Sequence, residues 1–546
     1  MRSRLRPPGG GGTLLLSALL AALAFPPFDL VVPSLVALAP LAVWVEAAPS
    51  GRTAFRGGLW FGAVLWLLLL RWLPLTLARF FPEALPGWLL VVGALALVTA
   101  GAVWAAHTLR HRVGLPLWLA LPLAWTAGEW LRARLPGSLA FPWLDLGTSL
   151  AGHPEWVGIA EVVGGRGVGF LLALAGALAG WAWVGARGAP SPGEPAVRRS
   201  GRRRALVTGA RLGAALAVVG LPAAWGAHRA RTLPTRPSLR VAILQTAVPQ
   251  GVKADPSAAA EAGMASLERL LPRIADDGTA DVVLLPEAVF PVRLEAAEAA
   301  TLRERLERAV AEAGVPVLLG ALGTAGSGGR RGGATYNSIF MVRPEGGLAD
   351  LRYDKRHLVP VIERIPLPAW PGGGDGGPGG SYGFGRSPIV FPVRGASGRR
   401  TLVGPLICLE SSFARAARDL RRAGADVLVN PTNDAWLNAP SPRRRTSALE
   451  QHPAHLVMRA IETRTGAARA ANTGVSLFVD PSGRTRGALP VFREGVSIHT
   501  LRTTDETTPF VRWGDVVGTG AFSLTLLLAL LPLTPLRSVL PRPHGA

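Results

Sequence analysis

The most informative stretch of this 546-residue chain is Leu402-Val-Gly-Pro-Leu-Ile-Cys408-Leu-Glu410-Ser-Ser-Phe413. An apolar, strand-like run leads into a helix that should begin near Ser412, so Cys408 stands at the turn between them. A thiol at such a turn faces helix N-terminal amides, which lower its pKa and can hold an oxyanion. The alternative is that Cys408 is a small buried hydrophobic residue. The stretch therefore predicts an α/β fold with a candidate nucleophile.

Two further segments place charged residues at informative positions. Asp281-Val-Val-Leu-Leu-Pro-Glu287 is typical of a buried strand whose final carboxylate either lines a pocket or caps the next helix. Tyr353-Asp-Lys355-Arg-His-Leu-Val-Pro360, followed by Glu363, is either a surface cluster or part of a site. Arginine fills every basic position except Lys253 and Lys355. Because an ammonium is a compact charge, lysine at 355 suggests a small cation beside a reacting oxygen.

Glu287, Lys355 and Cys408 together form a coherent set for acyl transfer. Glu287 would act as the base, Lys355 as the electrostatic partner and Cys408 as the nucleophile. The surrounding sequence alternates strand-like runs with charged helical stretches, which is typical of an α/β domain. We place this domain at residues 236–512, with the Gly/Pro-rich stretch 371–380 as a loop inside it.

Long apolar runs occupy the rest of the chain, which has a mean hydropathy of +0.30. Seven runs precede the α/β domain, in region 1–232, and one follows it, in region 514–546 with a short cytoplasmic tail. The first run could instead be a signal peptide, but the six runs behind it favour a retained helix. We expect a multi-span α-helical bundle of about eight spans: 12–25, 30–47, 57–72, 86–108, 114–131, 167–186, 206–226 and 516–534.

The arginines predict how these spans are oriented. With the N-terminus in the cytoplasm, the inner loops hold more arginines than the outer loops, including the cluster at 198–204. This arrangement places the α/β domain outside the cytoplasmic membrane. Part of the net charge of +22 therefore comes from inner-loop arginines that orient the membrane spans. A nucleic-acid partner is excluded for a domain outside the cytoplasm.

The composition also limits the possible cofactors. A single cysteine rules out an internal disulfide framework and a zinc site built on several thiolates. The nine histidines are scattered without the spacing of metal ligands. We therefore expect neither a metal nor another cofactor.

The α/β region resembles the nitrilase, or carbon–nitrogen hydrolase, superfamily, with Glu287, Lys355 and Cys408 at the triad positions. Membrane spans before such a domain and one span after it resemble the apolipoprotein N-acyltransferase family over essentially the whole chain. The stretches that carry both resemblances are Ala24-Phe-Pro-Pro-Phe-Asp29, Glu129-Trp-Leu-Arg132, Phe141-Pro-Trp-Leu144, Val241-Ala-Ile-Leu-Gln245, Tyr336-Asn-Ser-Ile-Phe340, Asn430-Pro-Thr-Asn-Asp-Ala-Trp436, Gln451-His452, Arg459-Ala-Ile-Glu462, Arg469-Ala-Ala-Asn-Thr-Gly474 and Thr508-Pro-Phe-Val-Arg-Trp-Gly514.

The resemblance implies an αββα sandwich in a bacterial inner-membrane enzyme, with its catalytic domain on the periplasmic side. Its thiolate would take an acyl chain from a phospholipid and pass it to the N-terminal amine of a diacylglyceryl-cysteine on an apolipoprotein. Glu287 would activate first the thiol and then the amine, while Lys355 and backbone amides would hold the oxyanion. Glu363 and Glu410 would position the triad.

Several residues depart from the family pattern. Leu409 replaces an aromatic residue after the nucleophile, Ala254 replaces a tryptophan, and Val361-Ile362 precedes Glu363 where Phe-Gly is usual. A long stretch before Gln451 carries Arg443, Arg444 and Arg445. These departures bear on substrate choice. Two alternatives stay open: a membrane-tethered nitrilase-type amidase that uses water as acceptor, and a non-enzymatic transporter or scaffold with a degenerate domain.

Overall fold

The computed structural model of the protein describes residues 10–80, 83–187, 199–324, 334–364, 382–395, 398–437 and 446–531. The predicted loop 371–380 and the arginines at 443–445 lie outside these residues. In the description that follows, helices and strands are numbered in chain order.

The region before the first strand is helical and apolar. Each apolar run that the sequence predicts is helical over most of its described residues. The run 30–47 is divided between two helices, and residues 532–534 of the last run lie outside the described residues. The helices are α1 (Gly10–Ala24), α2 (Val31–Val36), α3 (Ala39–Ala47), α4 (Gly51–Leu69), α5 (Leu73–Leu77), α6 (Ala84–Thr108), α7 (Leu117–Arg132), α8 (Pro154–Val157), α9 (Ala160–Arg187) and α10 (Arg199–Thr232).

Among the described residues, three helical segments are long and apolar enough to cross a membrane: Ala84–Val113, Ala160–Ala186 and Arg204–Thr232.

Helices in lipid associate through close packing of small residues rather than through the hydrophobic effect. Gly58 and Gly62, one turn apart on α4, show this packing against α6. A Cβ atom at Gly58 would lie 2.7 Å from Val103 Cβ, and one at Gly62 would lie 2.8 Å from Thr99 Cβ. The two helices can approach this closely only because both positions are glycine.

The second region alternates strands and helices. Its strands are β1 (Arg236–Gln245), β2 (Val282–Leu284), β3 (Phe290–Arg293), β4 (Val317–Thr324), β5 (Thr335–Arg343), β6 (Gly347–Asp354), β7 (Phe391–Arg394), β8 (Arg400–Pro405), β9 (Val427–Thr432), β10 (Ala467–Ala471), β11 (Leu477–Val479), β12 (Thr485–Arg486) and β13 (Gly495–Thr503). Its helices are α11 (Pro256–Asp277), α12 (Ala300–Ala313), α13 (Ala414–Arg422) and α14 (Ala448–Thr463), followed by α15 (Pro509–Trp513) and α16 (Val516–Leu530).

The strands form two sheets that pack face to face. One sheet has the order β13-β1-β2-β4-β5-β6, with β3 paired to β4, and the other has the order β12-β11-β10-β9-β8-β7. Helices α11 and α12 pack on the first sheet, α13 and α14 lie against the second, and strands β1 and β10 meet between the sheets. Strands β2, β9, β10 and β11 are buried along their whole length, as expected for strands covered on both faces, whereas the edge strands β6, β12 and β13 are mostly part-exposed. The predicted αββα sandwich is therefore present.

Gln451 forms one buried link between the membrane-type helices and the sandwich. Gln451 on α14 accepts hydrogen bonds from the indole Nε1 atoms of Trp72, at 3.0 Å, and Trp143, at 3.1 Å. Its amide nitrogen donates to the carbonyl oxygens of Pro26 and Leu69. All four hydrogen bonds available to the carboxamide are made, which fixes α14 over the helical region.

Candidate active site

Cys408 lies at a strained turn between the second sheet and α13. Strand β8 ends at Pro405, and Cys408 opens a short 3₁₀ turn with a φ of +50°, a backbone region that side chains other than glycine rarely adopt. The carboxamide nitrogen of Asn430 donates to the carbonyl oxygens of Leu406, at 2.5 Å, and Cys408, at 3.2 Å. These bonds hold the turn in place, so the strain, of order 1–3 kcal/mol, is maintained by the surrounding structure.

Lys355 joins two buried carboxylates. Its Nζ lies 2.8 Å from Glu287 Oε1 and 2.9 Å from Glu363 Oε1, and only 1% of its side chain is exposed. The amide nitrogen of Asn337 bridges the same two oxygens, at 2.7 and 2.8 Å. The second carboxylate oxygen of Glu287 accepts a bond from the backbone N–H of Asn433 at 2.9 Å. The structure thus brings Glu287, Lys355 and Glu363 together in one hydrogen-bonded cluster.

The pKa values of the two buried glutamates are shifted in opposite directions. Burial opposes ionisation of Glu287, but Lys355 and the surrounding hydrogen bonds outweigh it and hold the Glu287 pKa below its ordinary value. Burial raises the pKa of Glu363, and the nearby negative charge of Glu287 adds to this effect. Although burial disfavours its charge, Lys355 has a pKa well above the ordinary range because it faces both carboxylates. Glu287 is therefore the ionised partner of a permanently charged lysine.

The thiol differs from the prediction in one respect. Burial raises the pKa of Cys408 well above its ordinary value, Glu287 raises it further, and Lys355 acts in the opposite direction. The expected lowering of the Cys408 pKa was wrong, because burial is the largest effect on the thiol. The helix α13 begins only at Ala414, after the 3₁₀ turn. Cys408 therefore rests as a neutral thiol, and its ionisation depends on the balance between Glu287 and Lys355.

Glu410 connects the turn that carries Cys408 to β6 and to the residues that follow it, beside Lys355. Its carboxylate accepts hydrogen bonds from the Ile407 backbone N–H at 2.8 Å and the Tyr353 hydroxyl at 2.9 Å. It also accepts from the backbone N–H groups of Arg356 and His357. A fully buried carboxylate with four donors is a rigid brace, so Glu410 fixes the position of Cys408 relative to Lys355.

A second buried network lies on the other side of Cys408. Asp434 accepts bonds from Arg469 Nη2 at 2.7 Å and lies 3.0 Å from His452 Nδ1. Arg469 also contacts Asn430, which holds the nucleophile turn. Ligand-type atoms of Cys408, Asp434 and His452 all lie within 4.8 Å of one another, a grouping that sequence spacing did not predict. Arg469 already supplies the cation for this group, because its Nη2 contacts both Asp434 and His452.

Several residues at the site were given no role by the sequence analysis. Asn337, Asn433 and His452 lie in stretches that carried the family resemblance, but nothing in their local pattern showed that they meet. Lys253 could have been singled out from the sequence, because it is one of only two lysines in the chain. Its Nζ donates to the Ala288 carbonyl oxygen at 3.0 Å, next to Glu287, and burial lowers its pKa to about 8 against the opposing effect of Glu287.

The site lies directly against the membrane-type helices. The ring of Trp143, from the loop between α7 and α8, lies 5.4 Å from the ring of His452 and 5.0 Å from that of His455. Arg79 donates to the Ala435 carbonyl oxygen at 2.7 Å, beside Asp434. Of the residues that depart from the family pattern, Leu409 is buried beside Cys408, whereas Ala254 is exposed.

Comparison with known proteins agrees with this architecture. Residues 17–178 match the profile of the apolipoprotein N-acyltransferase N-terminal domain, and residues 240–508 match that of carbon-nitrogen hydrolase. The apolipoprotein N-acyltransferase of Gloeobacter violaceus is 32% identical over 556 residues, covering 97% of this chain and 93% of that protein. The protein of the same name from Ralstonia nicotianae is 32% identical over 511 residues, covering 91% and 88%. An amidase from Nesterenkonia sp. AN1 covers 50% of this chain and 96% of its own, at 19% identity and a TM-score of 0.35.

Proposed function

The chain belongs to the apolipoprotein N-acyltransferase family, and from this premise we propose that it moves an acyl chain from a membrane phospholipid to an apolipoprotein through a thioester on Cys408. The acceptor is the N-terminal amine of a diacylglyceryl-modified cysteine. The catalytic residues are Glu287, Lys355 and Cys408, and Glu363 and Glu410 are positioning residues.

In the first half-reaction, Cys408 Sγ attacks the ester carbonyl carbon of the phospholipid while Glu287 accepts the thiol proton. Lys355 and backbone N–H groups of the nucleophile turn stabilise the oxyanion that forms. The tetrahedral intermediate then collapses, the ester C–O bond breaks, and Glu287 returns the proton to the leaving alkoxide. The products are a thioester on Cys408 and a lysophospholipid.

In the second half-reaction, the acceptor amine attacks the thioester carbonyl carbon. Glu287 takes a proton from the amine, and the C–S bond breaks as the amide forms. The departing thiolate recovers the proton from Glu287, which restores the resting site. Because the thiol pKa is raised and the Glu287 pKa is lowered, the thiolate is a strong nucleophile that forms only as the reaction proceeds.

The observation that carries this proposal is the position of Cys408 on a strained turn that is held by Glu410. Cys408 also lies close to His452, whose ring is 5.4 Å from that of Trp143 in the helical region. A site so close to the helical region suits substrates that stay in a bilayer. The triad geometry alone is also compatible with a membrane-tethered amidase.

For the membrane arrangement, we propose eight spans, with domains at 1–232, 236–512 and 514–546 and the sandwich on the periplasmic side. The apolar helices and the distribution of arginines support this arrangement. Reporter fusions at about residue 195 and residue 330 should give opposite compartments. The same compartment for both fusions would contradict the eight-span topology.

Mass spectrometry of the full-length protein after incubation with one defined phospholipid tests the function. We expect a mass increase of one acyl chain on the peptide that contains Cys408, and its loss when a diacylglyceryl-cysteine peptide is added, with amide formation on that peptide. Loss of the acyl group at the same rate without the peptide would identify water as the acceptor and favour the amidase. No acylation of Cys408 would refute the thioester route.

A further inference from the structure

A large groove lies between the sandwich and the ends of two membrane-type helices, apart from the triad. Its volume is about 1190 Å³, and none of Glu287, Lys355 and Cys408 lines it. The wall on the sandwich side is α13, and the opposite wall comes from the end of α7 and the start of α16. Because the apolar helix α16 begins at this wall, the groove lies where the sandwich meets the membrane-type helices.

The described residues that line the groove carry an excess of positive charge. Six arginines and two aspartates face it. Both aspartates are already paired, since Asp419 binds Arg356 at 2.8 Å and Asp515 binds Arg166 at 2.5 Å. Arg415 Nε also lies 3.7 Å from Asp419. Three guanidinium groups then have no carboxylate of their own among the described residues that line the groove: Arg134, Arg418 and Arg422.

The arginines of α13 line the groove from one side of that helix. Arg415, Arg418 and Arg422 are three and four residues apart, so they share one face of the helix. Arg418 donates to the backbone carbonyl oxygens of Val511 and Arg512, which anchors the face to the start of the last helix pair. Arg415 and Arg422 remain exposed. Guanidinium groups present donor pairs that match phosphate oxygens, which makes this face suited to a phosphate group.

The opposite wall supplies the surface that an acyl chain would need. Trp130 stacks on Phe522 with ring centroids 4.3 Å apart, and its Nε1 donates to Thr519. Trp513 is 69% exposed at the mouth of the groove. Tryptophans at the end of apolar helices are typical of the membrane–water interface. The groove therefore combines a phosphate-binding face with an apolar, membrane-level wall.

We propose that this groove binds the headgroup of an anionic phospholipid of the phosphatidylglycerol class, at a site separate from the thioester centre. A zwitterionic headgroup matches the groove less well, because its ammonium would add a positive charge beside the groove arginines while both groove aspartates are already held by arginines. The proposal concerns binding only, so it stands or fails independently of the acyl-transfer reaction.

The test uses the full-length Cys408→Ala protein in discs of phosphatidylethanolamine that contain a small fraction of phosphatidylglycerol. Removal of the thiol prevents acyl-enzyme formation, and native mass spectrometry counts the retained lipids. The variant Arg134→Gln/Arg415→Gln/Arg422→Gln removes three exposed cations from the groove. The matched control, Arg273→Gln/Arg308→Gln/Arg343→Gln, removes three exposed cations from the side of the sandwich formed by the first sheet.

We expect the groove variant to bind phosphatidylglycerol at least about tenfold more weakly, while the control changes binding by less than about twofold. The single change Arg422→Gln should weaken binding to an intermediate extent. This variant tests the proposal even if the triple variant does not fold. Equal weakening by both triple variants, or no weakening by either, would overturn the proposal. Displacement of the lipid by soluble glycerol phosphate at equal concentration would show that free phosphate is the ligand and would also overturn it.

Discussion

Replacement of Lys355 separates its role in catalysis from its role in charge balance. In Lys355→Arg the charge is retained, but a planar guanidinium must enter a fully buried position whose contacts, at 2.8 and 2.9 Å, suit a single nitrogen. Removal of one oxyanion donor costs about 2.7–4 kcal/mol in barrier height, or roughly 10²–10³ in rate, and we expect a misplaced cation to cost at least that much. Both thioester formation and transfer to the amine should slow, because the same charge serves both steps.

Lys355→Met tests the other role. It leaves the carboxylates of Glu287 and Glu363 facing each other without a cation, and loss of one partner from a buried ion pair typically costs about 3–5 kcal/mol of stability. Lys355→Met/Glu363→Gln removes one positive and one negative charge, so thermal stability should largely return. Acyl transfer should stay low in the double variant, because Glu287 is present but the oxyanion has lost its cation.

Single-turnover thioester formation, followed by mass spectrometry, and the apparent melting temperature in detergent measure the two effects. Arg308→Lys, an exchange between the same two cations at an exposed position of α12, is the matched control and should change neither. If Lys355→Arg keeps more than about a tenth of the wild-type rate, or if the double variant regains activity together with stability, Lys355 serves charge balance only and the proposed triad is wrong.

Three further changes follow from the geometry of the site. Cys408→Ser should abolish acylation while the protein stays folded, because Glu287, whose pKa is lowered, is too weak a base for a hydroxyl; acyl label on the serine peptide would contradict this. The pKa of the Cys408 thiol is raised in the folded state, so the unfolded chain loses this proton first, near its ordinary pKa of about 8.5. Above that pH the free energy of unfolding should fall by up to about 1.4 kcal/mol per pH unit. Cys408→Ala should therefore remove that part of the decline in melting temperature between pH 8 and 10, and identical slopes would contradict burial of the thiol. Gln451→Leu should lower the free energy of unfolding by roughly 2–4 kcal/mol, because the indole N–H groups of Trp72 and Trp143 lose their shared acceptor. Each kcal/mol should lower the melting temperature by roughly 2–4 °C. A melting temperature within about 1–2 °C of wild type would show that this junction is not a structural link.

Sequence reasoning singled out the three proposed catalytic residues because each carries its own local signal. Glu287 follows a buried strand, Lys355 is a lysine in an arginine-rich chain, and Cys408 is the single cysteine. Their approach in space required the family resemblance, since they come from strands far apart in the chain. The role of Glu410 as a link between the two segments emerges only from its four donors in the folded structure.

What the sequence missed depends on packing rather than on pattern. The sequence left open whether Cys408 is buried, and its raised pKa follows from burial beside Glu287, which the packing of the fold decides. The network of Asp434, His452 and Arg469 joins segments that are close only because β9 and β10 pair in parallel. For the same reason, the histidines looked scattered in sequence although His452 lies within 4.8 Å of Cys408.

The four hydrogen bonds of Gln451 have a kinetic consequence. A catalytic domain fastened to its membrane region at this point cannot swing out to collect substrates from solution. Donor and acceptor must both arrive by lateral diffusion within one leaflet, so the encounter is a two-dimensional search. The turnover rate should then scale with the mole fraction of each substrate in the bilayer, and diluting the vesicles with buffer should leave it unchanged.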